Sequence, residues 1–115
     1  MARGDILTVE LPTPSGRPGH EQVGYRPAIV VQTDITDVRL PTTMIVPLTA
    51  NLDALRFPHT IRVDPSPQNG LTRPSVLLVF QLRAIDKRRA GNKLGRLESH
   101  HMHQLEAEMR DLLGL

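Results

Sequence analysis

Residues 26–31 read RPAIVV, and this stretch indicates the central buried strand of the fold. Residues 28–32 are a nearly unbroken apolar run of strand length, so we expect a strand with both faces buried. Pro27 pushes Arg26 into an extended conformation. Arg26 therefore stands at the mouth of a buried strand, with its guanidinium free to point into a groove.

Short strands are predicted on both sides of this stretch. They are residues 6–11, 43–48, 60–63, 75–80 and a short sixth strand at 81–86. Pro47 cannot donate a ladder hydrogen bond, which indicates an edge or a bulge within 43–48. Residues 11–26, 50–59 and 64–74 are irregular, and loops of that length in a compact domain often carry function.

The apolar residues of the C-terminal segment recur at spacings of three and four, which predicts an amphipathic helix. They are Met102, Leu105, Met109, Leu112 and Leu113. Ser99 is the expected N-cap and Gly114 the expected C-terminal stop. Short strands followed by one helix favour a mainly β fold, a small twisted barrel with the helix packed on it. The 115 residues predict a single domain, 1–115, and a second subunit would help so small a chain to bury surface.

Composition narrows the functional classes. The chain has no cysteine, which excludes disulfides and thiolate chemistry. It shows neither an apolar run of membrane-spanning length nor a signal-peptide pattern, so we expect a cytoplasmic protein without a membrane span. The net charge of +2 is uneven, because residues 83–96 hold most of the basic excess. Such a stretch indicates either a solvated loop or a polyanionic partner.

Polar residues in three places could carry chemistry. His20 and Glu21 lie in a loop just before the buried strand, where an imidazole could transfer protons near neutral pH. Composition alone favours the alternative, an ordinary polar turn. Thr49 follows the strand 43–48 as Arg26 precedes the strand 28–32, so both could converge on one phosphate. The alternative is that each binds backbone at a strand end.

A histidine cluster near the C-terminus comprises His100, His101 and His103. Two of these share a helix face, but carboxylates at a matching spacing are limited to two glutamates. We interpret the cluster as the solvated first turn of the helix and predict no metal and no other cofactor.

Together these pieces resemble the MazF/PemK family of toxin ribonucleases. The resemblance rests on RGDI near the start, GHEQ at 19–22, YRPAIVV at 25–31, VPLT at 46–49 and FQLRAIDKRR at 80–89. It runs from Arg3 to the C-terminus. It implies an SH3-like barrel that forms a homodimer and cuts single-stranded RNA at specific sequences without a metal. It also implies a cognate MazE-like antitoxin that blocks the RNA groove.

The resemblance assigns roles residue by residue. Arg26 and Thr49 match the catalytic arginine and threonine of relatives, while the loop residues His20, Glu21 and Gln22 match residues that line the RNA site. Gln81 matches another RNA-site residue. Some relatives use an arginine and an aspartate where this chain has Leu78 and Phe80, so the chain looks like the branch that relies on the arginine–threonine pair.

Three basic residues of the stretch 83–96 are expected to bind flanking phosphates: Arg83, Lys87 and Arg88. His20, or alternatively Glu21, is the expected proton carrier. A toxin of the same fold that cuts nothing and binds DNA gyrase is the competing interpretation, and a non-catalytic RNA-binding barrel is a third.

Overall fold

The computed structural model describes residues 1–11, 24–34 and 39–115. Its strands are β1 (Asp5–Leu11), β2 (Gly24–Val30), β3 (Thr42–Thr49), β4 (Thr60–Val63), β5 (Ser75–Leu78), β6 (Arg83–Asp86) and β7 (Ala90–Arg96). Helix α1 (Ser99–Leu113) follows, and three short 3-10 helices occupy Leu52–Arg56, Val79–Gln81 and Lys87–Arg89. The sheet order is β4-β5-β3-β2-β1-β7, and β6 pairs with β3.

The strand pairs are all antiparallel. Among the described residues no pairing joins β4 to β7, so hydrogen bonds do not close the sheet into a full barrel. A mainly antiparallel sheet with a C-terminal helix agrees with the fold class that the sequence predicts.

Both faces of the central strands are buried, as the apolar run in β2 predicts. Ala28 and Val30 belong to one apolar cluster, with Leu7, Val9, Leu11, Ile45 and Ile85 from neighbouring strands. Ile29 and Val31 belong to the other cluster, which the helix covers through Leu105. The alternation follows from the two-residue period of a strand. Each face of β2 therefore packs against a different part of the core.

The helix α1 confirms the predicted amphipathic stripe, with one exception. Leu105 is fully buried, and Met102, Met109 and Leu112 pack against the same cluster. Leu113 is instead mostly exposed. Gly114 ends the helix with a left-handed φ of 71°, as expected. The N-cap is Glu98 rather than Ser99, and its side chain makes no capping hydrogen bond.

Pro47 does not mark an edge, because β3 has neighbours on both sides. Residues 42–45 pair with β6 and residues 48–49 pair with β5. The backbone of Met44 faces β2, since its carbonyl oxygen accepts from the Val31 N–H. The backbone groups of successive residues in a strand point to opposite edges. Pro47 lies three residues after Met44, so its nitrogen points to the other edge, between β6 and β5. The missing donor thus falls where the strand changes partners.

The basic stretch 83–96 is ordered rather than a solvated loop. It contains β6, a 3-10 turn and β7, and β7 pairs with β1 from Asp5↔Arg96 to Val9↔Ala90. β7 contains two glycines and most of its residues are exposed, so its sequence lacks the apolar alternation that predicts a strand. The predicted strand 75–80 is also shorter, because Val79–Gln81 turns into a 3-10 helix.

Candidate functional site

Arg26 and Thr49 are brought together by the register of two strands. In the β2–β3 pair, Ala28 faces Pro47 and Val30 faces Ile45. Continuing that register by two residues places Arg26 opposite Thr49 on the same face of the sheet. Both side chains line one cleft of about 330 Å³. The structure therefore brings together two side chains that are 23 positions apart in the sequence (49 − 26).

The Thr49 hydroxyl is oriented by the turn that follows β3. Its Oγ1 accepts a hydrogen bond from the Asn51 N–H at 3.2 Å. Asn51 in turn caps the 3-10 helix Leu52–Arg56, because its Oδ1 accepts from the Asp53 N–H at 3.1 Å. Since the hydroxyl oxygen is used as an acceptor here, its proton remains available to donate to a group in the cleft.

The charge of the cleft is positive. Arg26 and Arg73 are among its lining residues, and no lining residue among those described is acidic. Neither guanidinium makes an ion pair or a hydrogen bond to another described residue. Arginine remains protonated in proteins and can hold two oxygens of one phosphate. The cleft is thus suited to an anionic ligand.

Arg73 is a site residue that sequence reasoning missed. It lies in the irregular segment between β4 and β5, and the cleft brings it to the same space as Arg26. A signal was present, because Arg73 precedes Pro74 as Arg26 precedes Pro27. The residue before a proline is held extended, so both arginines leave the backbone in similarly restricted conformations.

Three predicted residues fall outside the described part of the chain. His20, Glu21 and Gln22 lie within 12–23, between the described ranges 1–11 and 24–34. Their predicted roles as proton carriers and as an RNA-contacting residue stay predictions.

Gln81 and Arg83 line a second cleft, of about 430 Å³, rather than the cleft of Arg26 and Thr49. Phe80 lines it as well and packs edge-on against Phe57, with ring centroids 5.4 Å apart. Both phenylalanines of the chain therefore meet beside these polar residues. Arg83 pairs with Ile45, which lies four residues before Thr49 on β3. The two clefts therefore lie at different positions along this strand.

Lys87 and Arg88 lie in the 3-10 turn between β6 and β7. The Arg88 side chain is 90% exposed, and its Nη2 lies 2.8 Å from Asp86 Oδ2. Hydrogen bonds from the Arg88 side chain and backbone lower the pKa of Asp86 to about 2, so this carboxylate stays charged. The structure does not place this turn in either cleft.

The histidine cluster lies on the first turn of α1. His100 and His101 have ring centroids 4.0 Å apart, and His101 Nδ1 lies 2.9 Å from Gln104 Oε1. Among residues 1–11, 24–34 and 39–115, no group of three metal-ligating side chains is close enough to hold a metal ion. No described helix is both long and apolar enough to cross a membrane.

Solved structures of MazF proteins have a similar fold. MazF from Deinococcus radiodurans superimposes with a TM-score of 0.79 at 22% identity, covering 100% of this chain and 97% of that one. Mycobacterium tuberculosis toxin MazF-mt6 gives a TM-score of 0.76 at 19% identity, covering 96% and 97%. The chain thus has the fold of a small toxin of the MazF type.

Sequence comparison extends this likeness to a family. Endoribonuclease EndoA of Bacillus subtilis is 33% identical over 115 residues, which cover 100% of this chain and 96% of the relative. Endoribonuclease MazF of Staphylococcus saprophyticus is 30% identical, with 100% and 92% covered. Residues 2–113 match the family described as "PemK-like, MazF-like toxin of type II toxin-antitoxin system", and the chain belongs to that family.

Proposed function

We propose that this chain is the toxin of a type II toxin–antitoxin pair and acts as a metal-independent endoribonuclease on single-stranded RNA. The observation that carries the proposal is the convergence of Arg26 and Thr49 on one positively charged cleft. Relatives that align along the whole chain are named endoribonucleases, which supports the same activity.

The proposed reaction uses the 2′-hydroxyl of the RNA as nucleophile. Its oxygen attacks the adjacent phosphorus as its proton passes to a base, and the bond from phosphorus to the 5′-oxygen breaks. That oxygen takes a proton from an acid and leaves. The products carry a 2′,3′-cyclic phosphate and a 5′-hydroxyl, and DNA is inert because it lacks the nucleophile.

Arg26 and Thr49 stabilise the charge that develops on the phosphate. The Arg26 guanidinium binds the non-bridging oxygens, since its permanent charge suits it to this role and not to that of a base. The Thr49 hydroxyl donates to one of the same oxygens while its own oxygen stays bound to the Asn51 N–H. This arrangement is formed before the substrate binds, which is the condition for strong electrostatic stabilisation.

His20 carries the proton that the 2′-hydroxyl loses, with Glu21 as the alternative. Gln22 and Gln81 line the RNA site, and Arg83, Lys87 and Arg88 bind flanking phosphates. The active form is a homodimer in the cytoplasm, and a cognate MazE-like antitoxin inhibits it by covering the RNA site. Solved complexes of relatives with their antitoxins support this partnership.

One experiment separates the alternatives. Purified protein is incubated with single-stranded RNA in excess EDTA, with single-stranded DNA of the same sequence as the control. Discrete RNA fragments ending in cyclic phosphate, and intact DNA, are the expected result. Intact RNA together with gyrase binding and growth arrest would instead identify a non-catalytic toxin, and RNA binding without cuts or arrest would identify a binding module.

A further inference from the structure

The turn that precedes Arg73 is locked by a buried asparagine. Asn69 is fully buried, and its Oδ1 accepts from the N–H groups of Ser66 and Leu71, each at 3.0 Å. Its Nδ2 donates to the Asp64 carbonyl at 2.9 Å and to the Glu98 carboxylate at 3.2 Å. The amide thus uses both donors and accepts twice, which fixes its orientation and that of the turn.

Glu98 ties this turn to the start of helix α1. Its Oε2 accepts from Ser66 Oγ at 2.8 Å, and Ser66 Oγ itself accepts from the Asn69 N–H at 3.1 Å. The Glu98 carboxylate therefore accepts hydrogen bonds both from the Ser66 hydroxyl and from the Asn69 side-chain amide. Hydrogen bonds to a charged partner are stronger than neutral ones, so Glu98 contributes strongly to holding the turn.

Two glycines let the same turn press against β7. A Cβ at Gly70, whose φ is 68°, would overlap the carbonyl oxygen of Leu94. A Cβ at Gly95 would overlap the carbonyl oxygen of Gln68, and that oxygen accepts from the Arg96 N–H at 2.9 Å. The turn is consequently clamped between a strand and a helix. Immediately after it come Leu71, Thr72 and Arg73, which form a wall of the cleft.

The backbone of Arg73 is fixed from its other side as well. Ser75 Oγ donates to the Arg73 carbonyl oxygen at 2.9 Å, and Ser75 begins β5 opposite Val63. Pro74 restricts the conformation of Arg73 further. Arg73 therefore has an anchored backbone and a guanidinium without a partner among the described residues, in a cleft that already contains Arg26.

We propose that Arg73 is a second phosphate-binding residue of the cleft, and that Asn69 and Glu98 are positioning residues that hold its turn. The inference rests on the proposed function for its substrate, a single-stranded nucleic acid. Arg26 and Arg73 repel each other across a cleft whose described lining residues include no carboxylate, and an anion bound between them would offset that repulsion. Arg26 approaches that anion from the sheet and Arg73 from the clamped turn.

Salt dependence of binding tests the role of Arg73 separately from catalysis. Binding is measured to single-stranded DNA, which the 2′-hydroxyl mechanism cannot cut. Arg73→Gln should reduce the slope of log affinity against log salt by about 0.7, the value for one phosphate bound by the protein on a single strand. Arg73→Lys should keep the slope, and Arg110→Gln, on the exposed side of α1, should match the wild type.

Cleavage of RNA gives the second measurement. Arg73→Gln should lower kcat/KM roughly 10- to 100-fold, the range for removal of a hydrogen bond to a charged group. A wild type that cuts nothing while the DNA slope still depends on Arg73 would refute the proposed function and leave this inference standing. An unchanged slope in Arg73→Gln overturns the inference, whether or not the protein cuts RNA.

A double-mutant cycle tests the positioning role of Glu98. Glu98→Gln keeps the size of the side chain, and it should lower kcat/KM roughly threefold or more when Arg73 is present. In the Arg73→Gln background the same change should have almost no effect on kcat/KM. Equal losses in both backgrounds would show that Glu98 supports only the general fold. Ser66→Ala, which removes the hydroxyl that donates to Glu98 and accepts from the Asn69 N–H, serves as the second variant and should follow the same pattern.

Discussion

Arg26 and Thr49 are cross-strand neighbours: Arg26 lies two residues before Ala28 on β2, and Thr49 lies two residues after Pro47, the residue that faces Ala28 on β3. Their side chains leave the same face of the sheet and line the same cleft. Because both strands are buried along their centres, the separation of the two side chains is set by the core rather than by flexible loops. Such a pair is suited to preorganised binding of one phosphate.

Thr49→Val tests the hydroxyl of this pair. Valine keeps the shape of threonine, so the cleft should persist while one donor to the phosphate is removed. We expect kcat to fall by about 100- to 1,000-fold, as for other donors aimed at developing charge. Cleavage of single-stranded RNA under single-turnover conditions measures this loss. Thr60→Val, on β4 and outside the cleft, is the matched control, and equal activity of the two variants would exclude a catalytic Thr49.

Arg26→Lys separates charge from geometry. Lysine retains the positive charge but cannot bind two phosphate oxygens in the planar arrangement of a guanidinium. We therefore expect near-normal binding of single-stranded DNA, together with a fall in kcat of at least about tenfold. A variant with wild-type kcat would show that Arg26 contributes only its charge.

His20 is tested by the pH dependence of cleavage. If its imidazole carries the proton of the 2′-hydroxyl, the rate should change with pH between about 5 and 8. His20→Ala should lose most of the activity and this pH dependence. Glu21→Gln distinguishes the alternative proton carrier. Full activity of His20→Ala with a flat profile would remove this residue from the mechanism.

The sequence predicts the strands that have buried apolar faces. It does not predict an exposed strand, because such a strand has no apolar pattern. The apolar run in β2 and the helical spacing in α1 identify both elements, because each must hide one or two apolar faces. Strand β7 is missed, since most of its residues are exposed and its pairing partner, β1, is remote in sequence. Of the two expectations for Pro47, the edge is wrong for a related reason: a strand that changes partners leaves no local sequence signal.

The candidate site is predicted in part for the same physical reasons. Arg26 and Thr49 each lie at the end of an apolar strand. The change from apolar to polar residues there is visible in the local sequence and predicts a polar side chain at the edge of the core. Arg73 depends on a turn whose shape comes from long-range hydrogen bonds, such as that between Asn69 and Glu98 across 29 positions. No local pattern contains such a contact, so only the folded chain places Arg73 beside Arg26.

Gly70 should be intolerant of a side chain, in contrast to Gly114. Both have left-handed φ values, 68° and 71°, but a Cβ at Gly114 meets nothing within 4 Å. Gly114→Ala should therefore lower the free energy of unfolding by about 1 to 2 kcal/mol, the cost of the conformation alone. Gly70→Ala adds the overlap with the Leu94 carbonyl, about 1 to 3 kcal/mol more. Urea midpoints measure both, and equal losses would contradict the clamped turn.

Asp5 should make the protein sensitive to acid. Burial by itself would raise the pKa of Asp5, but the Ala2 N–H, Lys93 and Arg96 together lower it below its ordinary value. Arg96 Nη1 lies 2.7 Å and Lys93 Nζ 3.3 Å from Asp5 Oδ1. A lowered pKa in the folded state means that this stability is present above about pH 4 and is lost as the pH falls further.

Asp5→Asn provides the measurement. Its urea midpoint should lie below that of the wild type at pH 7, and the difference should shrink as the pH falls below about 4. Asp111→Asn, at an exposed position of α1, should show no such convergence. A difference that is constant with pH would mean that the ion pairs of Asp5 do not stabilise the fold.

The 3-10 turn Lys87–Arg89 tests whether the basic surface outside the clefts binds RNA. Arg88 is paired with Asp86, and Arg89 Nη1 lies 3.5 Å from Glu10 Oε1, but exposed pairs such as these are weak and can exchange for phosphates. Alanine at all three positions should weaken RNA binding and reduce the salt slope by about 0.7 for each phosphate that the turn no longer binds. Glu10→Gln should strengthen binding slightly, since it frees Arg89. A basic surface that binds RNA phosphates releases counterions and therefore contributes to the salt dependence of binding. If the triple variant has the same salt slope as the wild type, RNA binding is restricted to the clefts.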